Sequence, residues 1–239
     1  MNVLLSKLRT GSCAQFTALA LALGTSALVA PAMASTFQLQ SNTIILEERD
    51  GRTAFNIKNP GTQPILLVSR VEDLDGNNMA GNVIVTPAVT RIDPGQSQLV
   101  NFSLKKGMKL DREYLLRASF EGVSQKAERG MRMPIRQQIG FIVQPKTVAA
   151  DARPWQDLRF AVDGTTLKVH NSGRHVIRIG PALTLQPSGA VATLPHPYLM
   201  AGESIDLPVE SIGVAQQVEI VPLSRYGFAN EKALLPITP

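Results

Sequence analysis

Turn signals recur about every ten residues along most of this 239-residue chain, and that spacing leaves room for short strands and little else. Asp50-Gly51, Asn59-Pro60-Gly61, Asp75-Gly76-Asn77-Asn78 and Asp93-Pro94-Gly95 punctuate runs rich in Val, Ile, Leu, Phe and Thr. The runs between them, Thr43-Leu46, Thr53-Ile57, Ile65-Val68 and Leu99-Leu104, are strand-sized. After residue 34 no stretch combines helical periodicity with a cap at each end, and 16 Pro and 18 Gly argue against long helices. The chain is expected to be all-β.

The pattern breaks at Pro145 to Pro154, where Lys146 to Arg153 is weakly patterned and flanked by prolines, so 146–154 reads as a linker. Strand and turn signals then resume. Asp157-Val162 and Thr165-His170 flank the turn at Asp163-Gly164, and His175-Ile179 follows Asn171-Ser172-Gly173. Further runs lie at 205–209, 216–222 and 232–238. Two sandwich domains of about seven strands each are expected, 35–145 and 155–239, with the strand count of immunoglobulin-like folds.

The stretch Met131 to Pro145 alternates with period two. Met131, Met133, Ile135, Ile139, Phe141 and Val143 are apolar, and Arg132, Arg136, Gln138 and Gln144 lie between them. Pro134 lacks a backbone donor, which confines the first half to a sheet edge or a bulge. A long edge strand with large apolar side chains invites pairing by another chain, and natural proteins blunt such edges unless the pairing is wanted. The first half therefore reads as a strand to be shared.

Residues 1–34 read as a cleaved signal peptide: Lys7 and Arg9, the apolar stretch Phe16 to Ala30, and Ala32-Met33-Ala34 at the cleavage site. The mature chain would start at Ser35, its net charge falling from +5 to +3 with the loss of Lys7 and Arg9. Cys13, the one cysteine, lies in that leader, so the mature chain would hold no disulfide. No later run reaches membrane-spanning length, so no stable membrane insertion is expected.

Enzyme chemistry finds no support. Gly-x-Ser-x-Gly, Walker and dinucleotide motifs are missing from the sequence. His170, His175 and His196 have no cysteine or acidic cluster to complete a metal site and read as turn residues. No metal or other cofactor is expected. A pI near 9.6 suggests nucleic acid, yet aromatic content is 5% and the basic residues are dispersed, so a basic cleft for acidic partners is the better reading. Trp155 is expected to pack at the start of the second domain.

With these pieces in order, the chain resembles the PapD-like periplasmic chaperones of the chaperone-usher pathway. The resemblance rests on Thr86 to Ser97, on Arg112-Glu113-Tyr114, and on the strand ending in Pro145. In the second half it rests on Trp155-Gln156-Asp157, the hairpin around Asn171, Tyr198-Leu199-Met200 and Arg225-Tyr226-Gly227. It implies two immunoglobulin-like domains in an L or boomerang arrangement. It further implies a periplasmic chaperone that binds, folds and caps fimbrial subunits by donor-strand complementation, then delivers them to an outer-membrane usher. Met131, Met133 and Ile135 would enter the subunit's groove, and the free edge would support weak self-association. The short charged segment 121–130 resembles that of chaperones serving rod-like or adhesive pili.

Two departures from the family pattern stand out. The family's basic pair for the subunit's terminal carboxylate falls at Thr43 and Gly140, neither of which is basic, leaving Arg117, Arg132, Arg136 and Lys146 as candidates for a displaced anchor. Arg225 stands where the family tends to have an acid that ties the domains together with Arg91 and Glu113. The alternative reading is a structural or adhesive surface protein built from two sandwiches.

Overall fold

Residues 37–74, 78–124 and 134–238 are described by a computed structural model. Among them the first lobe holds strands β1 (Gln38–Leu39), β2 (Thr43–Glu47), β3 (Arg52–Lys58), β4 (Ile65–Asp73) and β5 (Val83–Thr86). It continues with β6 (Val89–Ile92), β7 (Ser97–Leu104), β8 (Tyr114–Ser124) and β9 (Ile135–Gln144). One sheet has the order β1-β3-β7-β5, the other β2-β9-β8-β4-β6.

Alternation decides what lies between the sheets. Phe55 and Ile57 of β3, Val100 and Phe102 of β7, and Leu116, Ala118 and Phe120 of β8 all point inward and are buried. Phe120 stacks on Phe55 with centroids 5.6 Å apart and meets Phe102 edge-on at 6.4 Å; Phe102 in turn lies 5.2 Å from Phe141. Such offset and edge-on pairs add to the burial of the rings themselves.

The second lobe has its own core, with Phe160, Leu167, Ile177, Leu183, Val218 and Ile220 buried in it and Trp155 packed against it. Its strands are β10 (Leu158–Asp163), β11 (Thr166–Asn171), β12 (Ile177–Arg178), β13 (Ala182–Pro187) and β14 (Val191–Thr193). They are followed by β15 (Tyr198–Leu199), β16 (Ser204–Pro208), β17 (Ala215–Ile220) and β18 (Ala233–Pro236). The sheets are β10-β11-β16 and β14-β13-β17-β18, with β12 and β15 paired separately. Gly164 (φ 59°) supplies the positive φ that the two-residue connection from β10 to β11 requires.

The all-β, two-sandwich expectation holds. Each lobe shows nine strands among the described residues where about seven were expected. The surplus comes from pieces such as β1, β12 and β15, two residues each and too short to generate a period-two signal. Residues 146–153 carry no strand but are held closely: Gln144 Nε2 donates to the Val148 carbonyl (2.8 Å), and the Lys146 amide donates to Glu48 Oε2 (2.9 Å).

Truncating the ring at the centre of the first core tests this account. Phe120→Ala is expected to cost about 3–5 kcal/mol, read as a lower urea midpoint by circular dichroism. A loss under about 1 kcal/mol would mean that the site collapses around the void and that the ring cluster is not central.

Candidate functional site

Strand β9 changes character at Gly140. From Phe141 to Gln144 every residue is buried, whereas Pro134, Arg136 and Gln138 are exposed and Ile135, Gln137 and Ile139 half-buried. Pairing explains the change. β8 pairs with β9 from Ile135 to Val143, but β2 joins the other edge only from Gly140, in parallel register Thr43↔Gly140 through Glu47↔Gln144. Among the described residues, Ile135 to Ile139 are thus hydrogen-bonded along one edge only. Gln137 Nε2 donates to the Phe37 carbonyl (3.0 Å), and a groove of about 680 Å³ runs beside this half, lined by Phe37, Leu39, Asn42, Gln138 and Ile139. Met131, Arg132 and Met133 lie outside the described residues.

Thr43 and Gly140, far apart in sequence, are direct neighbours. A Cβ at Gly140 would sit 3.4 Å from Thr43 Oγ1, and that hydroxyl is engaged from the other lobe: Arg178 Nη1 donates to it at 2.9 Å and to the Arg225 carbonyl, also at 2.9 Å. Arg178 forms no ion pair with any described residue, and burial pushes its guanidinium below the usual arginine value with no acid to offset it. Sequence reasoning did not single it out. The signal was a lone arginine inside Val176-Ile177-Arg178-Ile179, a run whose other members are all buried.

The displaced-anchor candidates are placed differently. Arg136 pairs with Glu121 at 2.7 Å, Lys146 pairs with Glu48 at 3.5 Å, and both are exposed. Arg117, across from Gly140 on β8, instead lines a cavity of about 380 Å³ together with Arg178, Gln138, His196 and Tyr198.

The lobes are joined by a buried polar network. Glu113, 4% exposed, accepts from the Val176 amide (3.1 Å) and from Arg225 Nη2 (3.2 Å), which also donates to Gln144 Oε1. The Glu113 amide donates to the Arg174 carbonyl (2.8 Å), and His175 Nε2 bonds the Ala149 carbonyl (2.8 Å). Arg225, where an acid was the family expectation, complements Glu113 directly. Arg91 corrects the expected grouping: it pairs with Asp93 at 2.8 Å, two residues along its own strand end, and is not among the partners of Glu113. Leu115, Ile142 and Val176 form a small apolar cluster between the lobes, packed by Ile45, Tyr198 and Met200.

Three comparisons bear on this architecture. Residues 36–149 match the family model described as pili and flagellar-assembly chaperone, PapD N-terminal domain. The uncharacterized fimbrial chaperone YhcA of Escherichia coli (strain K12) is 28% identical over 195 residues, covering 81% of this chain and 87% of that protein. Chaperone protein PmfD of Proteus mirabilis (strain HI4320) is 25% identical over 223 residues, covering 88% and 85%. Among solved structures, the complex of the Salmonella enterica SafA pilin with the SafB chaperone superposes with TM-score 0.69 at 20% identity, over 84% of this chain and 96% of that one. The YadV chaperone superposes with TM-score 0.68 at 18% identity, over 84% and 100%. Those structural likenesses are of fold: two immunoglobulin-like domains of the pilus-chaperone type. The first lobe thus matches the chaperone family, and the fold of the whole is that of the pilus chaperones.

Glu113 gives a pH signature. Burial, outweighing Arg225, His175 and the Val176 amide, raises its carboxyl above the usual glutamate value. The folded chain therefore holds this proton to higher pH than the unfolded chain, and the stability linked to it is lost as pH rises through the raised value. Glu113→Gln cannot titrate. The difference in Tm, mutant minus wild type, should become more positive from about pH 3.5 to about pH 8; a flat difference by scanning calorimetry would contradict the assignment.

Proposed function

We propose that this PapD-like chaperone works in the periplasm by lending the open half of β9 to pilus subunits, which it captures, folds and passes to an outer-membrane usher. The observation that carries the reading is the one-sided pairing of Ile135 to Ile139. Unpaired backbone donors and acceptors along that edge can complete a sheet in a partner that lacks a strand. SafB is seen in complex with the SafA pilin, and CsuC with the tip subunit CsuE, which supports subunits of this kind as the partner here. Kinship and the open edge together favour this over a surface structural protein.

On this reading residues 1–34 are a leader that export removes, 35–145 form the subunit-capturing domain, 146–154 connect, and 155–239 form the second domain. Met131, Met133 and Ile135 supply the alternating apolar side chains. Each is worth about 1.5–3 kcal/mol on full burial, reduced by the cost of association. Met suits grooves of slightly different shape because its side chain is flexible and polarizable. Free chains pair weakly through the same edge.

Co-expression in the periplasm with a pilin-like protein encoded nearby tests the proposal. Wild type should be recovered in a one-to-one soluble complex, and Ile135→Arg or Met133→Arg should lower recovery by roughly tenfold or more, since a charge would have to enter an apolar groove. Undiminished recovery with both variants would remove the edge from the mechanism.

A further inference from the structure

The outer face of the sheet β1-β3-β7-β5 carries positive charge with no acid to match it. Phe55, Ile57, Val100 and Phe102 point into the core, so the residues between them on β3 and β7 point out, and the register carries that face across to β1 and β5. At one end Arg52 and Ile84 flank Ser103; at the other Lys58 lies beside Ser97. None of the outward residues of these four strands is an aspartate or glutamate, and none is aromatic. Beyond Ser103 the chain enters a loop carrying Lys105, Lys106 and Lys109, all exposed, and the Lys105 amide donates to the Asn82 carbonyl just ahead of β5. Arg52, Lys58 and these three lysines form no ion pair among the described residues. The opposite sheet differs: Arg70 and Arg136 share Glu121. Two large aliphatic side chains stand among the unmatched cations, Ile84 at 48% and Leu99 at 54% exposure.

We infer that this face docks the exported chain on an anionic phospholipid surface. The inference needs only that the chain be exported and does not rest on the donor-strand reading. Arg52 and Lys58 stand at the two ends of β3, about 20 Å apart on a face about 15 Å across, so the cations cannot converge on one small anion. The partner must be extended and negative. The exposed aliphatic side chains choose among such partners, because a bilayer presents phosphates outermost with an apolar layer just beneath them. Arginine and lysine meet the headgroups while Ile84 and Leu99 reach the acyl boundary. Protein partners are commonly anchored by large aromatic side chains, and this face presents none. β9 belongs to the opposite sheet, so a docked chain keeps its open half unoccupied.

Vesicle co-sedimentation tests this, with the chain as recovered after export so that the apolar leader contributes nothing. At roughly 0.05 M salt, wild type should bind phosphatidylcholine vesicles containing about 30% phosphatidylglycerol at least about tenfold more tightly than phosphatidylcholine alone, and the difference should vanish near about 0.5 M. Arg52→Gln with Lys58→Gln, and separately Lys105→Gln with Lys106→Gln, should each lower binding by about 10-fold to 30-fold. Ile84→Ser with Leu99→Ser should weaken binding while leaving its salt dependence unchanged. Lys168→Gln with Lys232→Gln removes the same charge from the second domain and should change binding by less than about twofold. A loss there equal to that of the Arg52 and Lys58 pair would mean attraction to net charge alone and would overturn the assignment to this face. Equal binding to the two kinds of vesicle, or binding to neither, overturns the inference and leaves an acidic protein as the partner of the face.

Discussion

The parallel pairing of β2 with β9 divides one strand into two environments. Beyond Gly140, β9 is an interior strand, with β8 on one edge, β2 on the other and the second domain over the outer face, and its residues are buried whichever way they point. Before Gly140, the same strand keeps an open edge. The closed half anchors the open half, because five register pairs with β2 and the packing of Phe141 and Val143 in the core hold the strand in line without using the free edge. An open edge is normally a hazard. Here it extends from a half that cannot move without opening the core.

The joint between the domains is polar at its centre and apolar beside it. Leu115, Ile142 and Val176 exclude water, and the Glu113–Arg225 pair lies close by with Gln144. A buried ion pair seldom adds much net stability, because desolvation offsets the attraction, but it penalises arrangements in which either charge loses its partner. Among the described residues Arg225 Nε has no hydrogen-bond partner, so the network stops short of full satisfaction there. The pair thus contributes more to fixing the position of Val176, and with it Ile177 and Arg178, than to overall stability. Apolar side chains in the same place would hold the domains with less directional preference.

Much of this was legible in the sequence. Turn clusters at ten-residue spacing imply a sandwich because only short strands fit between them. Pro134 within an alternating run marks an edge because it cannot donate to a ladder. Family resemblance picked out Thr43 and Gly140 as positions, and it is the register of β2 on β9 that shows them to be neighbours. Arg178 was not recognised because its contact depends on the meeting of two domains: on β12 alone it is one polar residue in a strand, and only across the joint does it reach Thr43, where it is half-buried. Arg91 shows the opposite limit. Asp93, two residues on, was available as a local partner, and short-range pairing needed no second domain.

Arg178 belongs to the second domain but makes its contact on the first, which ties the start of β2 to the joint. It reaches Thr43 only while β12 is packed against the first domain, and the Glu113–Val176 contact two residues away helps hold it there. Thr43 and Gly140 mark the point where β9 passes from one-sided to two-sided pairing. The joint between the domains therefore bears on the place where the open edge ends, and a displacement of β12 would be felt there first.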